Sequence, residues 1–406
     1  MNRTGRTTVV IAGGGVAGLE AALALRELAA DRVEVQLLAP ETHFWYRPLS
    51  VAEPFELGEA RRFELAGLAS SAGASFSLGA LASVDAAKRV AYTAAGAPFP
   101  YDALLIACGA VPSTGVHGAL TFRGPADTDA IRHLLEEAAA GIVRSVAFVV
   151  PWGVAWSLPA YELALLTDSW LRGRRLSKIG VSLVTPEDAP LHLFGKRVSE
   201  AMSALLRERG IVVHTEVYPT NFRGGELVLV PDGVVEADRV VALPRPVAPR
   251  IDGLNQDRDG FVLVDGYCRV IGMTDVYAAG DVTTFPVKQG GIAAQQADTA
   301  AEAIAAAAGV TVQPSPFRPV LRGLILTGDQ PRYARTEVGR PGDVSRFDTE
   351  PLWWPPAKIA GRRLGPFLSE LSAAGPVAEP EPGPGAVQVD VELDPELRAP
   401  STPGQH

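Results

Sequence analysis

VVIAGGGVAGLEAALAL, residues 9–25, decides the fold. A strand over Thr8–Ile11 runs into Gly13-x-Gly15-x-x-Gly18 and then into an Ala/Leu helix that continues to about Ala30. Each glycine has its own reason in such a turn. Gly13 permits the tight turn, Gly15 lets the backbone approach a pyrophosphate, and Gly18 lets helix and strand pack closely. With Val16 and Ala17 between them, they place the free N–H groups and partial positive charge of a helix N-terminus against phosphate. A second strand, VEVQLLA (33–39), follows at once. An acidic ribose partner belongs about 20 residues after such a turn. Here the strand closes as LLAPE, and the acid is displaced past a proline to Glu41, a candidate that competes with an ordinary solvated loop carboxylate.

The same strand–loop–helix unit begins again at SVAFVV (145–150) and ELALLTDSWL, with IGVSLVT (179–185) as its next strand. Between strand and helix stands PWGVAWSLPAYE (151–162), with one glycine, and with prolines where backbone donors are needed. Repeated alternation of strand and helix predicts an α/β chain with two Rossmann-like domains, the second inserted into the first. The expected divisions are a first dinucleotide-binding part at 1–125, an inserted domain with a degenerate glycine loop at 126–250, and the return of the first domain at 251–310. A C-terminal interface or cap segment at 311–372 and a Pro-, Gly- and acid-rich tail at 373–406, expected to be disordered, complete the chain.

The 406 residues are too many for one ordinary core, and 47% apolar residues suffice for folded domains. A net charge of -9 argues against a nucleic-acid binder. No run reaches the roughly 18 apolar residues of a membrane span. The start lacks a signal-peptide pattern, so a cytoplasmic place is expected, with the inner face of the cell membrane as its variant. Cys108 and Cys268 are not in CxxC spacing, and no metal site is expected.

GGGVAG at 13–18, LLIACGA at 104–110 and VYAAGD at 276–281 together resemble the FAD-binding elements of the two-dinucleotide-binding-domain flavoproteins, the pyridine nucleotide–disulfide oxidoreductase superfamily. The resemblance implies non-covalent FAD, Asp281 on its ribitol chain after Gly280, and Cys108 and Gly109 in the second flavin-domain loop. It also implies that the helix opening at Lys288-Gln289-Gly290-Gly291-Ile292 faces the flavin ring, with Lys288 as the catalytic candidate. THFWYRPL (42–49) is similar to a segment that those proteins place near the ring, which puts Arg47 and Pro48 closest.

No redox cysteine pair follows the opening strands, so thiol relay chemistry is excluded. The pattern is closest to the sulfide:quinone oxidoreductase, flavocytochrome c sulfide dehydrogenase and type II NADH dehydrogenase branch. The expected activity passes electrons from an unidentified small-molecule donor through FAD to a quinone or other small acceptor. An NAD(P)H-dependent flavin reductase, of type II NADH dehydrogenase or ferredoxin-reductase kind, and a non-catalytic flavin-binding redox sensor are the alternatives. Trp152, Trp156, Tyr161 and Gln295 are candidates to line the substrate channel. Trp353 and Trp354 with Lys358, Arg362 and Arg363 within 351–371 suit either peripheral membrane contact or a packed cap. The oligomeric state, a homodimer among the options, is not fixed by these residues.

Overall fold

The computed structural model describes residues 5–340 and 344–373. The chain lays down β1 (Thr7–Ala12), α1 (Val16–Ala29), β2 (Val33–Ala39), β3 (Ala74–Leu78) and β4 (Ala103–Ile106). It continues through β5 (Leu120–Thr121), α2 (Thr128–Ala139), β6 (Ser145–Val149), α3 (Leu158–Gly173), β7 (Gly180–Val184), α4 (Lys196–Glu208), β8 (Val212–His214) and β9 (Arg239–Ala242). Then come β10 (Val276–Ala278), α5 (Gly290–Ala307), β11 (Val320–Ile325), β12 (Arg332–Glu337), β13 (Arg346–Asp348) and α6 (Leu364–Ala373). Shorter strands, 3-10 turns and a seven-residue helix, Leu65–Ser71, join them.

Two five-stranded sheets carry the architecture. The first has the order β10-β4-β1-β2-β3 and the second β5-β9-β6-β7-β8, and every pairing in both is parallel. All strands of the second sheet lie in sequence between β4 and β10 of the first, so the second unit is an insertion. Helices cover the faces of parallel sheets, which is why their central strands read as unbroken apolar runs. Val9, Val10 and Ile11 of β1 and Leu104, Leu105 and Ile106 of β4 have no exposed surface. Truncating one of these to alanine costs about 2–5 kcal/mol. The strand order reverses at β1/β4 in the first sheet and at β6/β9 in the second. Such reversal points open a crevice at the carboxyl ends of the strands.

Three stretches fold in ways that local pattern does not announce. FVLVDGYCRV forms isolated bridges rather than a strand. Asp265 accepts from the backbone N–H groups of Tyr267 and Arg269, and Cys268 sits at φ 60°, so the chain turns back on itself there. Asp127 stands at the N-cap of α2 without capping it and accepts instead from Arg123 N at 2.7 Å. The region after 311 builds its own antiparallel sheet, β11-β12-β13, and then α6. Within it Ile359, Leu364 and Leu368 are buried, Trp353 packs edge-on to Tyr333 at 5.4 Å, and Trp354 is exposed. Its apolar face therefore meets the protein, as a cap. No described helix is long and apolar enough to cross a membrane. The tail expected at 373–406 lies, beyond its first residue, outside the described residues.

Candidate active site

The glycine turn after β1 behaves as its three residues predict. A Cβ on Gly13 would sit 2.1 Å from the Ala107 carbonyl oxygen, and one on Gly18 would sit 1.8 Å from that of Gly13. Gly13 also has φ 132°. Gly15 faces open space, with no atom within 4 Å of where a Cβ would stand. No side chain caps α1 and no acid occupies its first turn, so its N-terminal donors remain available to an anion. Val16 and Ala17 open the helix behind the turn. Glu41 lies exposed beyond β2 and makes no hydrogen bond among the described residues. Cys108 and Gly109 follow β4 across the reversal point.

Asp281 and Lys288 form the centre of the site. The Gly280 N–H is held by the buried Gln296 side chain at 2.8 Å, and Gly280 is wedged between Ala17 and Ala293, where α1 and α5 meet. That turn presents Asp281. Its carboxylate makes no hydrogen bond among the described residues, and burial, partly offset by Lys288, pushes its pKa up to about 6. Lys288 donates to the carbonyls of Thr283 and Phe285 and lies 3.9 Å from the Phe261 ring centroid. Burial, opposed by Asp281 and Asp257, lowers its pKa to about 8. An unpartnered carboxylate, a glycine facing open space and an uncapped helix are what the ribitol and pyrophosphate of FAD require.

Gln289 caps α5. Its side chain accepts from Ile292 N at 2.9 Å and donates to Arg322 O at 3.2 Å. The Ile292 N–H is therefore spent within the protein, and Ile292 itself is buried, contrary to its expected place against the flavin. Gly291 packs on the Gln289 side chain, while Gly290 lies against Ile359.

The second reversal point is filled by side chains. Glu187, where a ribose partner would stand, accepts from Ser157 Oγ at 2.9 Å, Tyr161 Oη at 2.7 Å and Thr185 Oγ1 at 2.9 Å. Burial raises its pKa and those three donors oppose the shift. Tyr161 has no exposed surface and its oxygen also accepts from Leu191 N, so it lines no channel. Trp152 points to solvent, 62% exposed. Gln295 bonds both Gly291 O and the backbone of Val320, tying α5 to β11. Of the four channel candidates only Trp156 reaches the cavity, with its ring 5.8 Å from Phe194.

That cavity, about 320 Å³, lies between the two reversal points. Arg47 and Pro48, Asp281, Lys288, Gln289 and Gly290 line one side, Trp156, Leu158 and Glu162 the other, and Arg322 and Lys358 close it from the C-terminal segment. Glu162, Arg322 and Lys358 were not singled out as site residues from the sequence. Each is a charged residue in an apolar run (YELALL, VLRGLIL, PPAKIAG), which was the available signal. Glu162 accepts from Leu326 N at 2.8 Å and from Lys358 Nζ, and both side chains of that ion pair are buried.

Residues 7–307 match the family model of pyridine nucleotide-disulphide oxidoreductases. The chain belongs to that family. The ferredoxin–NAD(+) reductase component of the biphenyl dioxygenase system of Paraburkholderia xenovorans is 29% identical, over 70% of this chain and 69% of that protein. Among solved structures, the sulfide:quinone oxidoreductase of Aquifex aeolicus superposes with a TM-score of 0.74 at 20% identity, over 84% of this chain and 87% of that one. NDH2 of Plasmodium falciparum, solved with NADH, gives 0.65 at 13% identity, over 90% and 94%. This member of the pyridine nucleotide-disulphide oxidoreductase family is an FAD-dependent oxidoreductase.

The two cysteines of this family member are free thiols. Cys108 is open to solvent on one side and donates to Ala12 O at 3.3 Å, yet burial of its sulfur and then the Glu41 charge push its pKa up to about 12. Burial alone does most of the same to Cys268. Neither lines the cavity, and neither is held as the thiolate that sulfur chemistry needs. Among the described residues no group of three or more His, Cys, Asp or Glu is placed to hold a metal ion.

Proposed function

We propose that this protein passes electrons between a small donor and a small acceptor, a quinone among the candidates, both reaching FAD through the cavity between the two sheets. Bound FAD supplies the redox chemistry. Asp281 and the α1 N-terminus hold it, and Lys288 and Glu162–Lys358 place proton-carrying groups around the cavity. The carrying observation is that Glu187 already accepts three hydroxyl hydrogen bonds, from Ser157 and Tyr161 at the head of α3 and from Thr185 after β7. A nicotinamide dinucleotide of the NAD kind needs an acid free to meet its ribose there. Here that acid is already engaged by three hydroxyls. The competing reading, an NAD(P)H-dependent flavin reductase, draws on the sequence relationship to a ferredoxin–NAD(+) reductase component. Anaerobic titration of the holoprotein with NADH, NADPH and a panel of small reductants separates the two, followed by reoxidation with a short-chain quinone. Bleaching by a small reductant and return of colour with quinone support the proposal. Saturable bleaching by NADH alone supports its rival.

A further inference from the structure

The cavity is lined by five basic side chains, Arg47, Arg123, Lys288, Arg322 and Lys358, against two acids, Glu162 and Asp281. The whole chain has the opposite balance, with a formal net charge of -9. Three of the five cations are accounted for. Lys358 bonds Glu162. Lys288 is held by two carbonyls beside Asp281. Arg123 bonds Asp127 and the Thr121 carbonyl. Arg47 sits exposed at the rim.

Arg322 is different. It lies in β11, its Nε atom is buried and has no hydrogen-bond partner, and its guanidinium meets no acid among the described residues. Its cross-strand neighbour is another arginine, Arg335, which bonds Glu337 instead. Burial and then Arg335 lower the Arg322 pKa, but a guanidinium stays protonated in proteins. The guanidinium is half-buried and has no counter-charge among the described residues, and its planar fork of N–H donors matches a carboxylate in bidentate fashion. The cavity's other walls are apolar: Phe122, Val154, Trp156, Leu158, Leu243 and Leu324.

We propose that the cavity takes a small organic anion, a carboxylate on an apolar or aromatic body, with the carboxylate on Arg322. This rests on the reading that a small molecule enters the cavity beside the flavin. The test uses the FAD-loaded protein with benzoate as probe and benzamide as its neutral match, at constant ionic strength. Binding is read from the difference spectrum of the bound flavin. Benzoate should bind at least about tenfold more tightly than benzamide, and R322M should lose that preference while R322K keeps part of it. Flavin content of R322M should match the parent's, and its melting temperature should be no lower than the parent's. Equal binding of the two probes overturns the anion assignment and leaves the cavity reading standing. No spectral response to either overturns both. Loss of FAD from R322M, or a shifted flavin midpoint potential with unchanged benzoate affinity, assigns Arg322 to the flavin and overturns the proposal.

Discussion

A methyl group at Gly18 would meet the Gly13 carbonyl oxygen at 1.8 Å, whereas one at Gly15 meets nothing. The two substitutions should therefore fail differently. Gly18→Ala should lower the melting temperature of the apoprotein, because helix and turn must separate. Gly15→Val should leave the apoprotein's melting temperature near that of the parent and yet purify with little FAD, because the added side chain occupies the phosphate's place. Equal flavin content in Gly15→Val and parent would move the pyrophosphate elsewhere. Asp281 gives a pH prediction. Its pKa in the cofactor-free protein stands at about 6, raised by burial. The ionised carboxylate is the stronger acceptor for a ribitol hydroxyl, so FAD binding favours the deprotonated form and releases a proton from the protonated one. FAD affinity should thus weaken as pH falls through about 6, and Asp281→Asn should flatten that dependence. Fluorescence titration of apoprotein with FAD at a series of pH values reads both. At this scale the sequence was most legible where backbone geometry dictates the residue, as at the glycines. It was least legible at Ile292 and Tyr161, whose polar atoms are claimed by Gln289 and Glu187.

Elements show the same division. The edges of β2 match the expected strand over 33–39, and α5 begins at Gly290, within a residue of expectation. Periodicity and capping chemistry are local, so they survive folding. PWGVAWS forms the connection after β6 and LPAYE opens α3, but the side chains go where the sequence cannot say. Trp152 turns out to solvent, Trp156 turns into the cavity, and Tyr161 descends onto Glu187. The head of α3 then has Pro159 in its first turn and Ser157 beside it bound to Glu187, which leaves little grip for a pyrophosphate. Hydride transfer needs the nicotinamide held against the flavin by the rest of the dinucleotide. NADH and NADPH should reduce the flavin slowly and without saturation. Stopped-flow mixing with millimolar NADH under anaerobic conditions measures it. Fast saturable bleaching with a micromolar dissociation constant would make this loop an unorthodox nicotinamide site.

At the scale of the molecule, the C-terminal segment ties both sheets together and closes the cavity. Arg363 bonds Glu27 of α1 at 2.6 Å and Asp298 of α5, while its backbone N–H and that of Leu364 donate to the buried Glu20. Tyr46 accepts from Ile359 N at 3.1 Å. On the side of the second sheet, Lys358 meets Glu162 across 196 residues of sequence. No local pattern encodes a pairing at that separation, which is why the cavity's closure was illegible while its two halves were not. The pair makes a prediction of its own. Removing one partner of a buried ion pair costs about 3–5 kcal/mol, because the other charge is stranded. In Lys358→Met, Glu162 loses the cation that opposes its desolvation, so its pKa, already above 4.5, rises further. A carboxyl raised in the folded state binds more protons folded than unfolded, so stability falls as pH rises through that window. The melting temperature of Lys358→Met should therefore lie below the parent's, and the gap should widen from about pH 5 to about pH 8. The double variant Glu162→Gln, Lys358→Met carries no stranded charge. It should recover much of the loss and show no such widening. If the single and double variants melt alike at every pH, Glu162 is not stranded by loss of Lys358, and the cap is held by Arg363 and apolar packing alone.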